Sequence, residues 1–223
     1  MAENKAQNIL QILQTTFTTP HWTRSNDDPF KTLIVTIISQ NTAGRNTSKA
    51  FENLSKRFEI KPEVLAKAET SQIEQCLKVA GLYRNKAKTI KHVSKIIVDQ
   101  YCGDLRSILS QPLEEARRKL LQLPGVGPKT ADVVLLFSAE KSTVPVDTHV
   151  NRVSKRLRLA PTKGDYEAVR ESLQTLYKPT DYLAAHLLLI QHGRKYCRAR
   201  NPMCKQCPIN KFCPSKNMWD KSD

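Results

Sequence analysis

The 223-residue chain has no apolar run approaching the roughly 20 residues that span a bilayer, which excludes a membrane-spanning helix. Glycine is scarce, at 7 residues, and there is no low-complexity tract or repeat at solenoid periods, so linker-rich, collagen-like and repeat architectures are set aside. Hairpin-type alternation of apolar and polar residues is also missing, which argues against an all-β fold. The opening Met1-Ala-Glu-Asn-Lys-Ala-Gln lacks the basic-then-apolar order of a secretory signal, and no targeting extension is expected. Acidic residues are the shortest in supply relative to their opposites: 21 Asp and Glu stand against 36 Lys and Arg, a net charge of +15. Such an excess predicts a polyanionic partner, with nucleic acid ahead of an acidic membrane surface.

What is present reads as helix. Ile9, Leu10, Ile12, Leu13 and Phe17 form one stripe at helical spacing. The stretch Pro29 to Gln40 is apolar nearly all round, which suits a buried central helix, although its β-branched content also allows a buried strand. Phe51, Leu54 and Phe58, then Ile73, Cys76 and Leu77, and then Ile90, Val93, Ile96 and Ile97 continue the pattern. Asp147 to Leu159, Asp165 to Tyr177 and Asp181 to Tyr196 each begin with an aspartate able to cap a helix. The expected fold class is all-α, with about ten short helices. Trp22 and Trp219 are read as packing anchors, and Cys76 and Cys102 as small buried hydrophobes.

Two segments carry chemistry. Cys197, Cys204, Cys207 and Cys213 are spaced C-x6-C-x2-C-x5-C, inside a stretch from Arg194 to Trp219 that holds seven basic residues and no acidic one. Four thiolates so close in sequence can converge on one metal centre. The unequal gaps leave a structural zinc ion and a cubane iron–sulfur cluster both open.

The second segment is Leu123-Pro-Gly-Val-Gly-Pro-Lys-Thr-Ala-Asp-Val-Val-Leu135. Gly125, Val126 and Gly127 form a tight turn, Pro128 suits the first helical position, and the helix N-terminus offers backbone N–H groups to a phosphate. This is a helix–hairpin–helix signature, which grips the DNA backbone without reading sequence. Lys129, in the first turn of that helix, can pair with a phosphate or, if deprotonated, act as a nucleophile. Asp147, in Val144-Pro-Val-Asp-Thr-His149, reads as an N-cap whose carboxylate could still face a cleft. His149 is a ligand, a base or a structural hydrogen-bonding group.

Taken together, LPGVGPKTADVVL, VPVDTHVNRV, LLLIQHGRKYC, the four-cysteine pattern, PFKTLIVTIISQNT and GLYRNKA resemble the endonuclease III family of helix–hairpin–helix DNA glycosylases. The resemblance implies a two-lobed all-α helix–hairpin–helix glycosylase fold with a C-terminal iron–sulfur cluster loop. A six-helix barrel lobe would span 21–138, and a second lobe would combine 1–20 with 139–223, including a [4Fe-4S] cluster on Cys197, Cys204, Cys207 and Cys213 (loop 197–213). It also implies a bifunctional glycosylase and abasic-site lyase that removes oxidised pyrimidines from double-stranded DNA. Lys129 would be the Schiff-base nucleophile and Asp147 its electrostatic partner.

Leu82 matches a residue that wedges into the base stack. Asn41 sits where many relatives have a gap-filling Gln, with Gln40 as a substitute, and Thr130 joins the hairpin contacts. Gly44 and Leu121 replace acidic residues common in relatives, which bears on lesion range. The alternatives are a glycosylase for thymine or uracil opposite guanine, a non-catalytic DNA-binding module, or a redox sensor. A monomer in a reducing compartment, the cytoplasm or nucleoid of a prokaryote, is the accompanying expectation.

Overall fold

The computed structural model describes residues 2–18 and 28–219, and among them there are twelve α-helices and no strand. The chain divides into two compact units. One joins Met1–Thr23 to Ser142–Asp223, and the other is Arg24–Lys141. Trp22 and the side chain of Trp219 lie outside the described residues.

The continuous unit contains α2 (Pro29–Ser39), α3 (Gly44–Arg57), α4 (Pro62–Lys67), α5 (Thr70–Leu77), α6 (Tyr83–Tyr101), α7 (Arg106–Leu109), α8 (Leu113–Leu121) and α9 (Pro128–Ser138). The choice between helix and strand at Pro29 is settled by its start. The Asp28 Oδ1 accepts from the Phe30 N–H at 3.0 Å, and Pro29 occupies the first helical position. Phe30, Leu33, Ile34, Ile37 and Ile38 are then wholly buried, packed with Leu54, Leu77, Ile90, Val93, Leu120 and Leu135.

A buried ion pair ties the helices that flank the hairpin. Arg117 on α8 donates through Nε to Asp132 Oδ1 on α9 at 2.9 Å, and through Nη2 to Oδ2 at 3.4 Å. Asp132 is 0% and Arg117 8% exposed. Between them the chain turns with Leu123 and Val126 buried as apolar anchors.

The discontinuous unit contains α1 (Ala2–Thr16), α10 (Thr148–Arg156), α11 (Tyr166–Leu176) and α12 (Tyr182–Lys195), followed by short 3-10 turns through the cysteine segment. Ile9, Leu10 and Leu13 of α1 pack with Val150, Val153, Val169, Leu173, Leu188 and Leu189. Asp147 and Asp165 do cap their helices, accepting from the Val150 N–H at 2.7 Å and the Ala168 N–H at 2.9 Å. Asp181 does not: it closes a 3-10 turn, Pro179–Asp181, in a helical backbone conformation from which its carboxylate caps nothing. Cys102 is also corrected, since it is exposed, in a left-handed conformation (φ 52°) at the end of α6, whereas Cys76 is buried.

The Arg117–Asp132 pair sets a stability expectation. Removing Asp132 takes a two-point carboxylate partner from a buried guanidinium, so Asp132→Ala should lower unfolding free energy by about 3–5 kcal/mol. Urea denaturation followed by circular dichroism measures this.

Candidate nucleic-acid interface and cysteine centre

In the continuous unit, Gly125 has φ +72°, and a Cβ there would lie 2.5 Å from Thr89 Cγ2, so both conformation and space require glycine. Gly127 differs. Its backbone is extended, and a Cβ would meet nothing within 4 Å. Lys129 follows at the second position of α9 and is half-buried. Thr130 is 3% exposed and therefore faces inward.

Thr130 receives a hydrogen bond from Gln40. The Gln40 amide donates through Nε2 to the Gly125 carbonyl at 2.9 Å and to Thr130 Oγ1 at 3.2 Å. The side chain read from sequence as a possible gap-filler is therefore engaged as a tether between the end of α2 and the hairpin. Asn41, the next residue, is exposed and left-handed at φ 51°. Leu82 is also left-handed, at φ 58°, and 61% exposed, which removes any reading of it as ordinary core. The two tips are neighbours, since a Cβ on Gly81 would lie 3.7 Å from the Asn41 carbonyl oxygen.

In the discontinuous unit, the segment leading to Asp147 is pinned from two sides. His186 Nδ1 donates to the Pro145 carbonyl at 2.8 Å, and the Val146 N–H donates to the Tyr166 hydroxyl at 3.3 Å. Asp147 itself is half-buried at the head of α10.

Two arginines of α10, one turn apart, hold the cysteine segment. Arg152 donates through Nε to the Cys197 carbonyl at 2.9 Å and through Nη2 to the Gly193 carbonyl at 3.0 Å. Arg156 donates through Nη1 to the Arg198 carbonyl at 2.7 Å and through Nη2 to the Ala199 carbonyl at 3.2 Å. The Arg156 carbonyl in turn accepts from the Ser215 hydroxyl at 3.0 Å. Neither arginine was singled out from sequence, although their i, i+4 spacing beside Asp147 marks a single helix face. Gly193 permits the approach of α12 to α10, because a Cβ there would sit 2.9 Å from His149 Cβ.

Cys197, Cys204, Cys207 and Cys213 line one cavity, together with Arg156, His192, Tyr196 and Met203, and none forms a disulfide. Among the described residues, no three His, Cys, Asp or Glu side chains are grouped closely enough to hold a single metal ion. Burial pushes the Cys207 thiol up to about 11, and charge on the other three cysteines adds to the rise; burial raises Cys213 as well. The Cys207 thiol, whose ionisation is opposed by burial and by its three neighbours around one cavity, is a donor that a cationic centre would relieve. The residues therefore fit a thiolate-ligated group.

These geometries define a two-unit helical protein with a helix–hairpin–helix turn and a separate four-cysteine segment. Residues 34–179 match the model of the HhH-GPD superfamily base excision DNA repair proteins. Endonuclease III of Thermotoga maritima is 36% identical over 186 residues, covering 83% of each chain. Endonuclease III of Escherichia coli is 32% identical over 219 residues, covering 97% of this chain and 99% of the relative. Among solved structures, a trapped endonuclease III–DNA covalent intermediate superposes with a TM-score of 0.85 at 28% identity, covering 97% of both chains. The chain belongs to the endonuclease III family of the HhH-GPD superfamily.

His149 gives this region a measurable signature. Burial lowers its pKa most. Asp147 pulls it back up, and Arg152 and Arg194 push it down further. Arg152 Nη2 donates to His149 Nδ1 at 3.1 Å, which requires a neutral ring protonated on Nε2. The fold thus favours neutral His149, and its contribution to stability is lost as pH falls from the unfolded value near 6.5 toward the lower folded value. Ring-proton NMR should show His149 titrating below 6.5, and Arg194→Gln should move its midpoint upward.

Proposed function

We propose that the chain is a bifunctional DNA glycosylase and abasic-site lyase that removes oxidised pyrimidines from double-stranded DNA. The observation that carries this reading is the placement of Lys129 one residue inside α9, directly after a hairpin whose Gly127 leaves open space beside the helix N-terminus. That space suits a DNA backbone, with helix N–H groups offered to its phosphates and the damaged nucleotide drawn out of the stack toward Lys129. The family membership favours glycosylase chemistry over a binding module.

Lys129 Nζ, deprotonated, attacks C1′ of the damaged nucleotide. The new N–C1′ bond displaces the base, which leaves with the glycosidic electron pair and takes up a proton. The new ammonium loses a proton, the C1′–O4′ bond breaks with O4′ taking its electron pair and a proton to leave an iminium at C1′, and the polarised C2′ then loses a proton as the C3′–O3′ bond breaks and the phosphate departs. Asp147 offsets positive charge that builds on the sugar. Its Oδ1 is fixed by the Val150 N–H, and the pinned Pro145-Val146 segment holds the carboxylate in place before substrate arrives. In this reading Gly125, Gly127, Asn41 and Leu82 contact DNA, while Gln40, Thr130 and Val126, the last expected from sequence to touch DNA but buried with its N–H donating to the Leu123 carbonyl, brace those contacts from within.

Cys197, Cys204, Cys207 and Cys213 would hold a [4Fe-4S] cluster, as the family resemblance implies and as their shared cavity supports. Such a cluster supplies a crosslink that fixes the basic cysteine segment, and no bond-making step in the reaction is assigned to it. A monomer suffices for this chemistry, and the thiolates call for a reducing compartment.

Borohydride trapping on a duplex with one thymine glycol is the direct test. A covalent adduct is expected with the native protein and none with Lys129→Gln. An adduct on a pre-made abasic site alone would keep the lyase and shift the base preference toward deaminated thymine or uracil mismatches. For the cysteine centre, purified protein should carry close to four iron atoms per chain, and Cys207→Ser should lose iron together with thermal stability, read by iron assay and thermal melting.

A further inference from the structure

Lys86 is 4% exposed, yet its ammonium has no carboxylate partner among the ion pairs of the described residues. It lies in the second turn of α6. Its backbone N–H donates to the Leu82 carbonyl at 3.1 Å, closing the first turn of that helix onto the exposed leucine. Its side chain crosses to the end of α2, where Nζ donates to the Ile38 carbonyl at 2.8 Å and to Thr42 Oγ1 at 2.5 Å. Those two acceptors flank Gln40 and Asn41. One residue therefore fastens both left-handed tips, Asn41 at φ 51° and Leu82 at φ 58°, each a conformation that a non-glycine side chain adopts only at a cost. Burying an ammonium is costly in itself, and burial lowers the pKa of Lys86. A neutral side chain of similar length would fill the same space without that penalty. The charge has a specific use here: it satisfies the Ile38 carbonyl at the negative end of α2 and, through the Thr42 hydroxyl, holds the turn that follows.

We infer that Lys86 is a positioning residue that presets Asn41 and Leu82 as a single two-point wedge, so that opening of an intact base stack draws on a preformed rather than an induced surface. This rests on the glycosylase and lyase reading above. Preforming the tips removes an ordering cost from the step in which the damaged nucleotide leaves the helix. The cost is largest on DNA whose lesion is still stacked and paired, and smallest where the base is already gone. Loss of Lys86 should therefore penalise the two substrates unequally, which a merely structural lysine would not do.

The experiment compares single-turnover borohydride trapping on two duplexes of one sequence, one with thymine glycol opposite adenine and one with a pre-made abasic site. Lys86→Met keeps the length and removes the charge. Its trapping rate should fall ~10-fold or more further on thymine glycol than on the abasic site. In a Leu82→Ala background the same substitution should lose most of that selective effect, because the residue it acts through is gone. An equal fall on both duplexes, no fall on either, or full additivity with Leu82→Ala would overturn the inference. Trapping by the native protein on neither duplex would instead overturn the underlying reading. If Lys86→Met does not fold by circular dichroism, Thr42→Val removes one of the two acceptors at the protein surface. It should then show the same substrate selectivity at about 5-fold, and an equal fall on both duplexes, or no fall, would again reject the inference.

Discussion

The Arg117–Asp132 pair is the constraint on which the hairpin depends. A charged pair inside an apolar interior is stable only while both partners are present and well aligned, so the relative placement of α8 and α9 is fixed to hydrogen-bond tolerance. Asp132 stands one turn beyond Lys129 on the same helix. Whatever locates Asp132 therefore locates Lys129, and an error in the packing of these helices would be transmitted directly to that side chain. The turn between them adds a second fixed point at Gly125, where Thr89 leaves no room for a side chain.

From that anchor a chain of polar contacts runs outward. Gln40 ties the end of α2 to the Gly125 carbonyl and to Thr130, and Lys86 ties the same end to the start of α6. The hairpin, Asn41 and Leu82 are therefore three surface features of one braced framework rather than three independent loops. The discontinuous unit solves a similar problem with different groups. Asp147 is held by its own helix N-terminus and the Pro145-Val146 segment before it by His186 and Tyr166, while the cysteine segment is gathered by Arg152 and Arg156 further along the same helix. In both units long polar side chains reach backbone carbonyls, an arrangement that fixes a loop without requiring a particular sequence in it.

The legible parts of this arrangement were those written in local sequence. Asp28-Pro29, Gly127-Pro128 and Asp147 each signal a helix start through groups within four residues, and the glycine-bracketed turn and the cysteine spacing are equally local. The less legible parts depend on partners distant in sequence. Nothing near Gln40 indicates that its amide meets residues 85 and 90 positions on, and nothing near Lys86 points back to Ile38. Left-handed Asn41 and Leu82 carry no glycine to announce them. Cys102 departs from the buried position its residue type suggests because its left-handed backbone after α6 places it outside the core that the rest of that helix covers. Asp181 was misread because its backbone stays helical, so a residue type suited to capping has no orphan N–H within reach.

The division of the chain has a consequence for its biosynthesis. The Arg24–Lys141 unit is one uninterrupted stretch, whereas α1 belongs with elements that follow Ser142. As the polypeptide leaves the ribosome, α1 emerges before the helices that its apolar face, Ile9, Leu10 and Leu13, will pack against. The hairpin-bearing unit can meanwhile complete its own core from residues already synthesised. The second unit closes last, when the cysteine segment has been made. The order of synthesis thus places the hairpin turn ahead of Asp147 and of the four thiols, so the first unit can fold before any of the four cysteines has been made.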